Sequence, residues 1–501
     1  MAAIRGRSAP SWALATVCAV LFLTFLDNTI VSVILGDVDL DLHAGVTQLQ
    51  WVVDGYALVF AALMLAGGSL GDLLGRKKVM LGGIVVFCVG SVVCAGADSV
   101  AMLIGGRVVM GVGAAACEPG TLSVLRHLFP DPRPRARALG AWSAVSGLAL
   151  ALGPVIGGAL DGYSGWRSVF WFNVGFGVLA LVAAAVTVPE TSDPQGRRLD
   201  ALGLGSGAAA LAVVTFAIIE GETVGYATWW IPLLFAVGIA AGAGFVLAER
   251  RVADPVLDLR FFRDRAFTGP NAVVCVTYFG IFAIFFLVAL YLQLVVGRSG
   301  YQIALTFVPM MVVMVGGSAL TGRWVAAAGP RLPMTVGCAL AAAGTLLTDS
   351  YLSRTVGTGT LAWTLAIAGA GFGLVLVPVT STVLAVVPAA RSGMAASATN
   401  TSRQLGAVFG VAVLGALVYG ELASGIGSTL SRLGVPSRFN DGVIASVTHG
   451  TIPANPAPNV AHVNPLQFAE QVIDAAYRSF GSGMHVALVL AGALLAASGV
   501  L

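Results

Sequence analysis

Residues 12–35 read WALATVCAVLFLTFLDNTIVSVIL, 24 consecutive positions with one charge among them, Asp27. As an α-helix rising about 1.5 Å per residue, this run spans the roughly 30 Å hydrocarbon core of a bilayer. It is too long for the apolar region of a secretion signal, so no cleavable leader is expected. Lipid offers no partner for a free backbone N–H or C=O, so the run must be helical. The rest of the chain repeats the theme. Of 501 residues, 57% are hydrophobic and only 10% charged, 27 basic and 24 acidic. Soluble domains carry about 25% charged residues. These proportions exclude a water-soluble enzyme, a disordered chain and a coiled coil.

Thirteen further apolar segments follow, over 49–70, 79–97, 101–125, 139–160, 168–187, 202–219, 230–248, 267–296, 301–327, 332–350, 360–386, 393–418 and 484–501. None has the alternation of a barrel strand. Fourteen spans with a cytoplasmic N-terminus place 19 basic residues inside: Arg5, Arg7, Arg76, Lys77, Lys78, Arg126, Arg133, Arg135, Arg137, Arg197, Arg198, Arg250, Arg251, Arg260, Arg263, Arg265, Arg323, Arg331 and Arg391. Short external loops hold three, Arg167, Arg298 and Arg354. This asymmetry sets the orientation and also tests the count, because removing one span inverts every loop beyond it.

The spans fall into three blocks. Residues 1–190 form a six-helix bundle. Residues 191–265 form an inserted helix pair flanked by cytoplasmic linkers. Residues 266–501 form a second six-helix bundle with a long extracellular loop over 420–483, rich in Gly, Ser, Asn and Pro. The bundles carry related loops. Between spans 2 and 3 stands Gly68-Ser69-Leu70-Gly71-Asp72-Leu73-Leu74-Gly75-Arg76-Lys77-Lys78; between spans 10 and 11 a fainter copy runs through Gly317, Leu320, Gly322, Arg323, Gly329 and Arg331. A six-helix unit used twice, with a cavity at the interface, suits alternating access.

These residues resemble the major facilitator superfamily, and within it the fourteen-helix drug:proton antiporters. The Gly68–Lys78 stretch is similar to the superfamily's signature loop, although Leu73 stands where that loop has a basic residue. Leu26-Asp27-Asn28-Thr29-Ile30-Val31 is similar to the first-helix motif of the fourteen-helix group. Gly106-Arg107-Val108-Val109-Met110-Gly111 resembles its fourth-helix motif. Gly147 with Gly153-Pro154-Val155-Ile156-Gly157-Gly158 resembles the fifth-helix motif linked to antiport, and Asn400–Gly406 is typical of the group. The resemblance implies an all-α membrane protein of the major-facilitator type: two six-helix bundles plus an inserted pair, fourteen transmembrane helices in all.

Ionisable groups inside a bilayer are costly and point to function. Asp27, Asp54 and Arg107 fall at similar depth in the outer half of spans 1, 2 and 4, and are expected to form one cluster. A buried carboxylate is poised between desolvation, which favours its neutral form, and a nearby guanidinium, which favours its charged form. Asp27 is therefore the expected carrier of the coupling proton, with Arg107 tuning it and Asp54 assisting or binding a cationic drug; the alternative is a static ion pair stapling three helices. Glu118 follows Arg107 by eleven residues, about three turns, on the same face and about 16 Å away. It is either an inner carboxylate of the cavity or a group near the cytoplasmic interface. Arg403 either snorkels to the cytoplasm, the favoured reading, or neutralises a substrate anion. Tyr278, Phe279, Phe282, Phe285, Phe286 and Tyr291 of span 9 face either a drug cavity or lipid, and Gln293 is a candidate polar contact in that cavity.

Gly68, Asp72, Gly75, Arg76 and Lys77 are the expected gate. Asp72 can accept from helix-start amides or from an arginine across the bundle interface, and the resemblance implies that it stabilises the outward-open form. Gly147, Gly153, Pro154, Gly157 and Gly158 give span 5 a smooth face on which backbones approach closely, expected to seal against the opposite bundle. Gly369-Ala370-Gly371-Phe372-Gly373 lies inside span 12 and is read as packing.

The six cysteines lie in apolar runs without CxxC spacing, and the five histidines are scattered, so no metal site is expected. The only lysines, Lys77 and Lys78, lie outside any Gly-Lys-Ser/Thr sequence, which excludes a Walker A loop. No cofactor, ATP or nucleic acid is expected; the proton gradient is the expected energy source. No catalytic cluster suggests an enzyme. The expected function is efflux of a lipophilic, cationic drug or antibiotic across the cytoplasmic membrane in exchange for protons. The alternatives are an exporter of one endogenous metabolite and a non-transporting membrane sensor. The composition suggests a bacterial source.

Overall fold

A computed structural model of the chain describes residues 9–44, 46–191, 201–226, 228–252, 255, 257–298, 300–353, 355–388, 391–433 and 465–500. Apolar runs that lipid cannot hydrogen-bond become helices, in this order: α1 Ala9–Leu42, α2 Val46–Leu74, α3 Arg76–Ala95, α4 Val100–Leu128, α5 Pro132–Ser164, α6 Arg167–Thr187, α7 Ala201–Val224 and α8 Trp230–Glu249. Next comes α9, which runs from Arg265 to Ala283 and continues through a π-helical turn, Ile284–Val288, into Ala289–Leu294. The last five are α10 Gly300–Ala328, α11 Arg331–Tyr351, α12 Thr358–Val386, α13 Ser392–Arg432 and α14 Pro465–Ser498. Thirteen are long and apolar enough to cross a membrane, and α5 is the fourteenth once its two parts, bent by 41° between Leu150 and Leu152, are taken as one span. The fold is all-helical among the described residues.

The bend in α5 has a cause. Pro154 has no N–H and its ring crowds the carbonyl of Leu150, four residues back. Thr29 Oγ1 of α1 donates to that carbonyl at 3.1 Å. The first-helix motif thus satisfies the polar group that the fifth-helix motif sets free.

Most of the apolar interior falls into two clusters. One is built chiefly from α1–α6 around Leu26, Phe60, Phe87 and Trp142. The other is built from α9–α14 around Met310, Phe372, Leu414 and Leu488. Helix alternation puts Arg76, Lys77, Arg126, Arg133, Arg250, Arg323, Arg331 and Arg391 at one end of the bundle, called the basic end below.

The loop expected over 420–483 is helical at both ends. Helix α13 continues to Arg432 and α14 starts at Pro465; the centre, 434–464, lies outside the described residues. The reason is an apolar stripe that recurs every four residues. Val418, Leu422, Ile426 and Leu430 are buried with Val472, Ala476, Phe480 and Met484. The helices approach so closely that a Cβ on Gly425 would lie 1.7 Å from Ser479 Oγ. Gly425 and Gly483 serve helix contact here, a Cβ on Gly483 meeting Val418 Cα at 2.8 Å.

Candidate functional site

Four helices converge on Asp27. Its Oδ2 accepts from Arg107 Nη1 of α4 at 2.5 Å, and its Oδ1 accepts from Asn173 Nδ2 of α6 at 2.7 Å. Asp27, Arg107 and Asn173 have no solvent exposure at all. Arg107 Nε donates to the Val52 carbonyl of α2 at 2.9 Å, and its guanidinium lies 4.4 Å from the centroid of the Tyr56 ring. Tyr56 in turn donates its hydroxyl to the Thr24 carbonyl of α1 at 3.2 Å. One guanidinium nitrogen, Nη2, has no partner among the described residues. A buried carboxylate held by a charge-assisted bond and an amide is well satisfied, and both donors lie inside one bundle.

Asp54 does not join this cluster, which corrects the expectation. Val52 and Tyr56 turn toward Arg107, and Asp54, midway between them on the helix, points to the other side, half-buried within electrostatic reach of Glu220 on α7. Glu220 also accepts from Trp51 Nε1 at 3.0 Å. Equal depth in the membrane does not bring two groups together, because depth does not fix azimuth on a helix that turns about 100° per residue. Asn173 is a member of the cluster that the sequence reading lacks. Its signal is an amide inside an otherwise apolar span.

A second polar cluster lies between the bundles. Arg403 of α13 is 2% exposed and does not snorkel. Its Nη1 donates to Asn400 Oδ1 at 3.0 Å and its Nη2 to Thr380 Oγ1 of α12 at 2.9 Å. Its guanidinium lies 5.0 Å from the ring centroid of Trp142 in α5 and 5.8 Å from that of Tyr278 in α9. Glu118 of α4, 1% exposed, sits within electrostatic reach of Arg403, and its Oε2 has no partner among the described residues. This resolves the Glu118 alternative in favour of an interior group. Trp142 is fixed by donating to Thr121 Oγ1 at 3.1 Å, and Thr121 donates to the Glu118 carbonyl at 2.6 Å.

Tyr291 lies elsewhere: its ring stacks on Phe480 of the α13–α14 extension, 6.3 Å between centroids. Phe285 packs on Phe307 at 4.8 Å and Phe286 is 38% exposed, so the span-9 aromatics divide among several environments. The Gln293 side chain lies outside the described residues.

At the basic end, Asp72 holds the first turn of α13. Its Oδ1 accepts from Gly393 N at 2.9 Å and its Oδ2 from Met394 N at 3.0 Å, and Arg76 Nη2 donates to Oδ1 at 2.7 Å. A carboxylate here satisfies amides that the helix cannot pair and complements the positive end of its dipole. Close backbone approach makes this geometry reachable. A Cβ on Gly68 would meet the Gly393 carbonyl at 2.5 Å and Ser397 Cβ at 2.6 Å. The fainter copy of the loop packs likewise, since a Cβ on Gly322 would meet the Ala136 carbonyl of α5 at 2.5 Å. Gly75, at φ +108°, lies against Glu190, whose Oε1 accepts from Lys77 N at 3.2 Å. Lys77 Nζ donates to the Ala185 carbonyl at 2.6 Å.

The fifth-helix glycines face two ways. A Cβ on Gly147 would meet Met314 Cε of α10 at 2.8 Å, so Gly147 faces the opposite bundle. Gly153 and Gly157 instead press on α1, where a Cβ would lie 2.0 Å from Thr29 Oγ1 and 2.8 Å from the Ile30 carbonyl. Gly158 has only an ordinary contact, Val33 Cγ1 at 3.7 Å. The expected single seal against the other bundle is thus corrected: Pro154 turns the helix, and most of the motif packs within its own bundle. In α12, a Cβ on Gly369 would lie 2.2 Å from the Met310 carbonyl oxygen, and one on Gly373 would lie 2.5 Å from that of Met314, so these glycines serve packing.

The model of the Major Facilitator Superfamily matches residues 17–411. The multidrug resistance protein Stp of Mycobacterium tuberculosis is 32% identical over 95% of this chain and 88% of its own length. The tetracenomycin C resistance and export protein of Streptomyces glaucescens is 30% identical over 98% and 90%. Among solved structures, the human organic anion transporter MFSD10 superposes with a TM-score of 0.61 at 16% identity, covering 99% of this chain and 100% of that one.

Proposed function

The chain belongs to the major facilitator superfamily, and from that premise we propose that it exports lipophilic drugs or antibiotics across the cytoplasmic membrane by alternating access in exchange for protons. The observation that carries the reading is the sealed Asp27–Arg107–Asn173 cluster, a carboxyl that bridges three helices of one bundle without solvent. Export by relatives such as the tetracenomycin C protein supports the direction of transport.

In this reading the basic end, with the N-terminus, faces the cytoplasm, as the charge asymmetry requires. The close contacts between bundles, Asp72 on Gly393, Gly68 on Ser397, Gly322 on Ala136 and Gly147 on Met314, run from the basic end to mid-depth. They correspond to an outward-facing form with its inner gate shut. Proton entry supplies about 2.3 kcal/mol per charge per 100 mV. Protonating Asp27 breaks its charge-assisted bond to Arg107 and frees α4 relative to α1, which biases the two-state equilibrium. The inserted pair α7–α8 packs on α2 of the first bundle and, through α7, on α13 of the second.

The test is a susceptibility panel in an efflux-deficient bacterial host, comparing wild type with Asp27→Asn at matched expression. Wild type is expected to raise the inhibitory concentration of several lipophilic antibiotics and the variant to lose the effect. No shift for any compound would favour the narrower reading, an exporter of one metabolite.

A further inference from the structure

We propose that Arg403 and Asn400 form the specificity element of the substrate site and recognise an acidic group, a carboxylate or an ionised phenol, carried on a planar aromatic molecule. The inference rests on the efflux reading and adds to it the chemistry of the cargo.

Four observations lead there. First, among the described residues Arg403 makes no ion pair, although it is 2% exposed. An arginine this deep demands an anion or many dipoles. Two neutral oxygens, Asn400 Oδ1 and Thr380 Oγ1, supply only part of that demand. Second, two donors beside the charge are unspent, while the one unpartnered acceptor of the cluster, Glu118 Oε2, does not reach them. Arg403 Nε and Asn400 Nδ2 are buried without partners among the described residues. The orientation of the Asn400 amide follows from chemistry: arginine can only donate, so the atom facing it is the oxygen and the NH2 group is the one left open. Thr380 is already spent, donating to the Leu376 carbonyl at 2.9 Å while accepting from Arg403. A ligand that completes this group must bring acceptors. Third, the Trp142 and Tyr278 rings lie close to the guanidinium and offer flat faces beside the charge. Fourth, the cluster draws on both bundles: Glu118 and Trp142 come from α4 and α5, Tyr278, Thr380, Asn400 and Arg403 from α9, α12 and α13. A ligand seated here touches the surfaces that separate in alternating access. Glu118 lies within electrostatic reach of Arg403 but does not hydrogen-bond to it.

The site differs from the Asp27 cluster in what it can accept. Arg107 is already paired with the Asp27 carboxylate, which would repel an incoming acid. Arg403 has no such partner among the described residues.

The test uses the purified full-length protein and three anthracene probes of matched shape: 9-anthracenecarboxylate, 9-anthracenemethanol and 9-anthracenemethylammonium. Equilibrium binding is read by probe fluorescence. A charge-assisted bond to a buried arginine gives the carboxylate at least about a tenfold preference over the alcohol and the ammonium in wild type. Arg403→Gln is expected to erase that preference while leaving the alcohol's affinity nearly unchanged, and Arg403→Lys to keep part of it. The alcohol reports whether each variant still folds. Tighter binding of the ammonium probe, no carboxylate binding by wild type, or a preference that survives Arg403→Gln would each overturn the proposal. Binding is measured without transport, so failure of the susceptibility panel removes the efflux reading and leaves this result standing, and the reverse holds too.

Discussion

Arg107 and Arg403 both lie in the interior of the helix bundle, 0% and 2% exposed, yet their surroundings differ. Arg107 meets a carboxylate at 2.5 Å, a backbone carbonyl and an aromatic face, all within the first bundle. Arg403 meets a hydroxyl, an amide and two rings drawn from both bundles, and its nearest carboxyl stays out of contact. The first arrangement is sealed from solvent and its arginine is paired with a carboxylate. The second is incomplete and sits where the bundles part. On the proposed reading, one fold separates the ion that supplies energy from the molecule that is moved, by pairing one buried arginine with a carboxylate and leaving the other without one.

The largest effect is expected from removing the closed carboxyl. Asp27→Asn is expected to reduce pH-gradient-driven drug accumulation in proteoliposomes to the level of empty vesicles, while drug binding persists. If the variant still pumps uphill, the division of labour is wrong. The next effect in size concerns the gate between the bundles. Asp72→Ala removes a carboxylate that accepts from two helix-start amides and from Arg76. At about 1.5–3 kcal/mol for a bond to a charged group, the closed form loses about 100-fold or more against the open one. Spin labels at Leu74 and Leu332, both exposed at the basic end, are expected to move apart; unchanged distances would mean that Asp72 is only a surface cap.

Smaller effects separate packing within a bundle from packing across the interface. Gly153→Ala puts a methyl 2.0 Å from Thr29 Oγ1. Overpacking of this kind costs about 1–3 kcal/mol. A lower melting temperature in detergent is expected, with partial recovery in the Gly153→Ala/Thr29→Ala double variant, whereas Gly158→Ala should melt like wild type. Smallest is Gly75→Ala. The left-handed backbone at φ +108° costs a β-carbon about 1–2 kcal/mol, and the new methyl also meets Glu190 Oε1 at 2.7 Å. Slight destabilisation with intact binding is expected, measured by the same melt.

Much of this is legible in the residues. The span count, the repeat and the Asp27–Arg107 pair follow from hydropathy, positive-charge asymmetry and the cost of burying charge. Other features are not. Topology gives the depth of Asp54 along the membrane normal and says nothing about which neighbour its helix face meets. The fifth-helix glycines share one surface only on a straight helix, and Pro154 bends this one. The 420–432 and 465–483 segments look like loop from their Gly and Ser content, although the four-residue apolar stripe from Val418 to Leu430 is there to be counted. Arg403 departs from expectation for a related reason. Snorkelling needs a free path to water, and only the fold reveals that Arg403 is buried beside Trp142 and Tyr278.

Whether Asp27 trades a proton between the two sides of the membrane is read most directly by isotope-edited infrared difference spectroscopy on protein cross-linked in each of its two conformations. A carboxylic-acid band is expected that is absent from Asp27→Asn and whose pH dependence differs between the two locked forms. A carboxylate signature for Asp27 in both forms, unchanged across the whole accessible pH range, would contradict proton exchange at this residue.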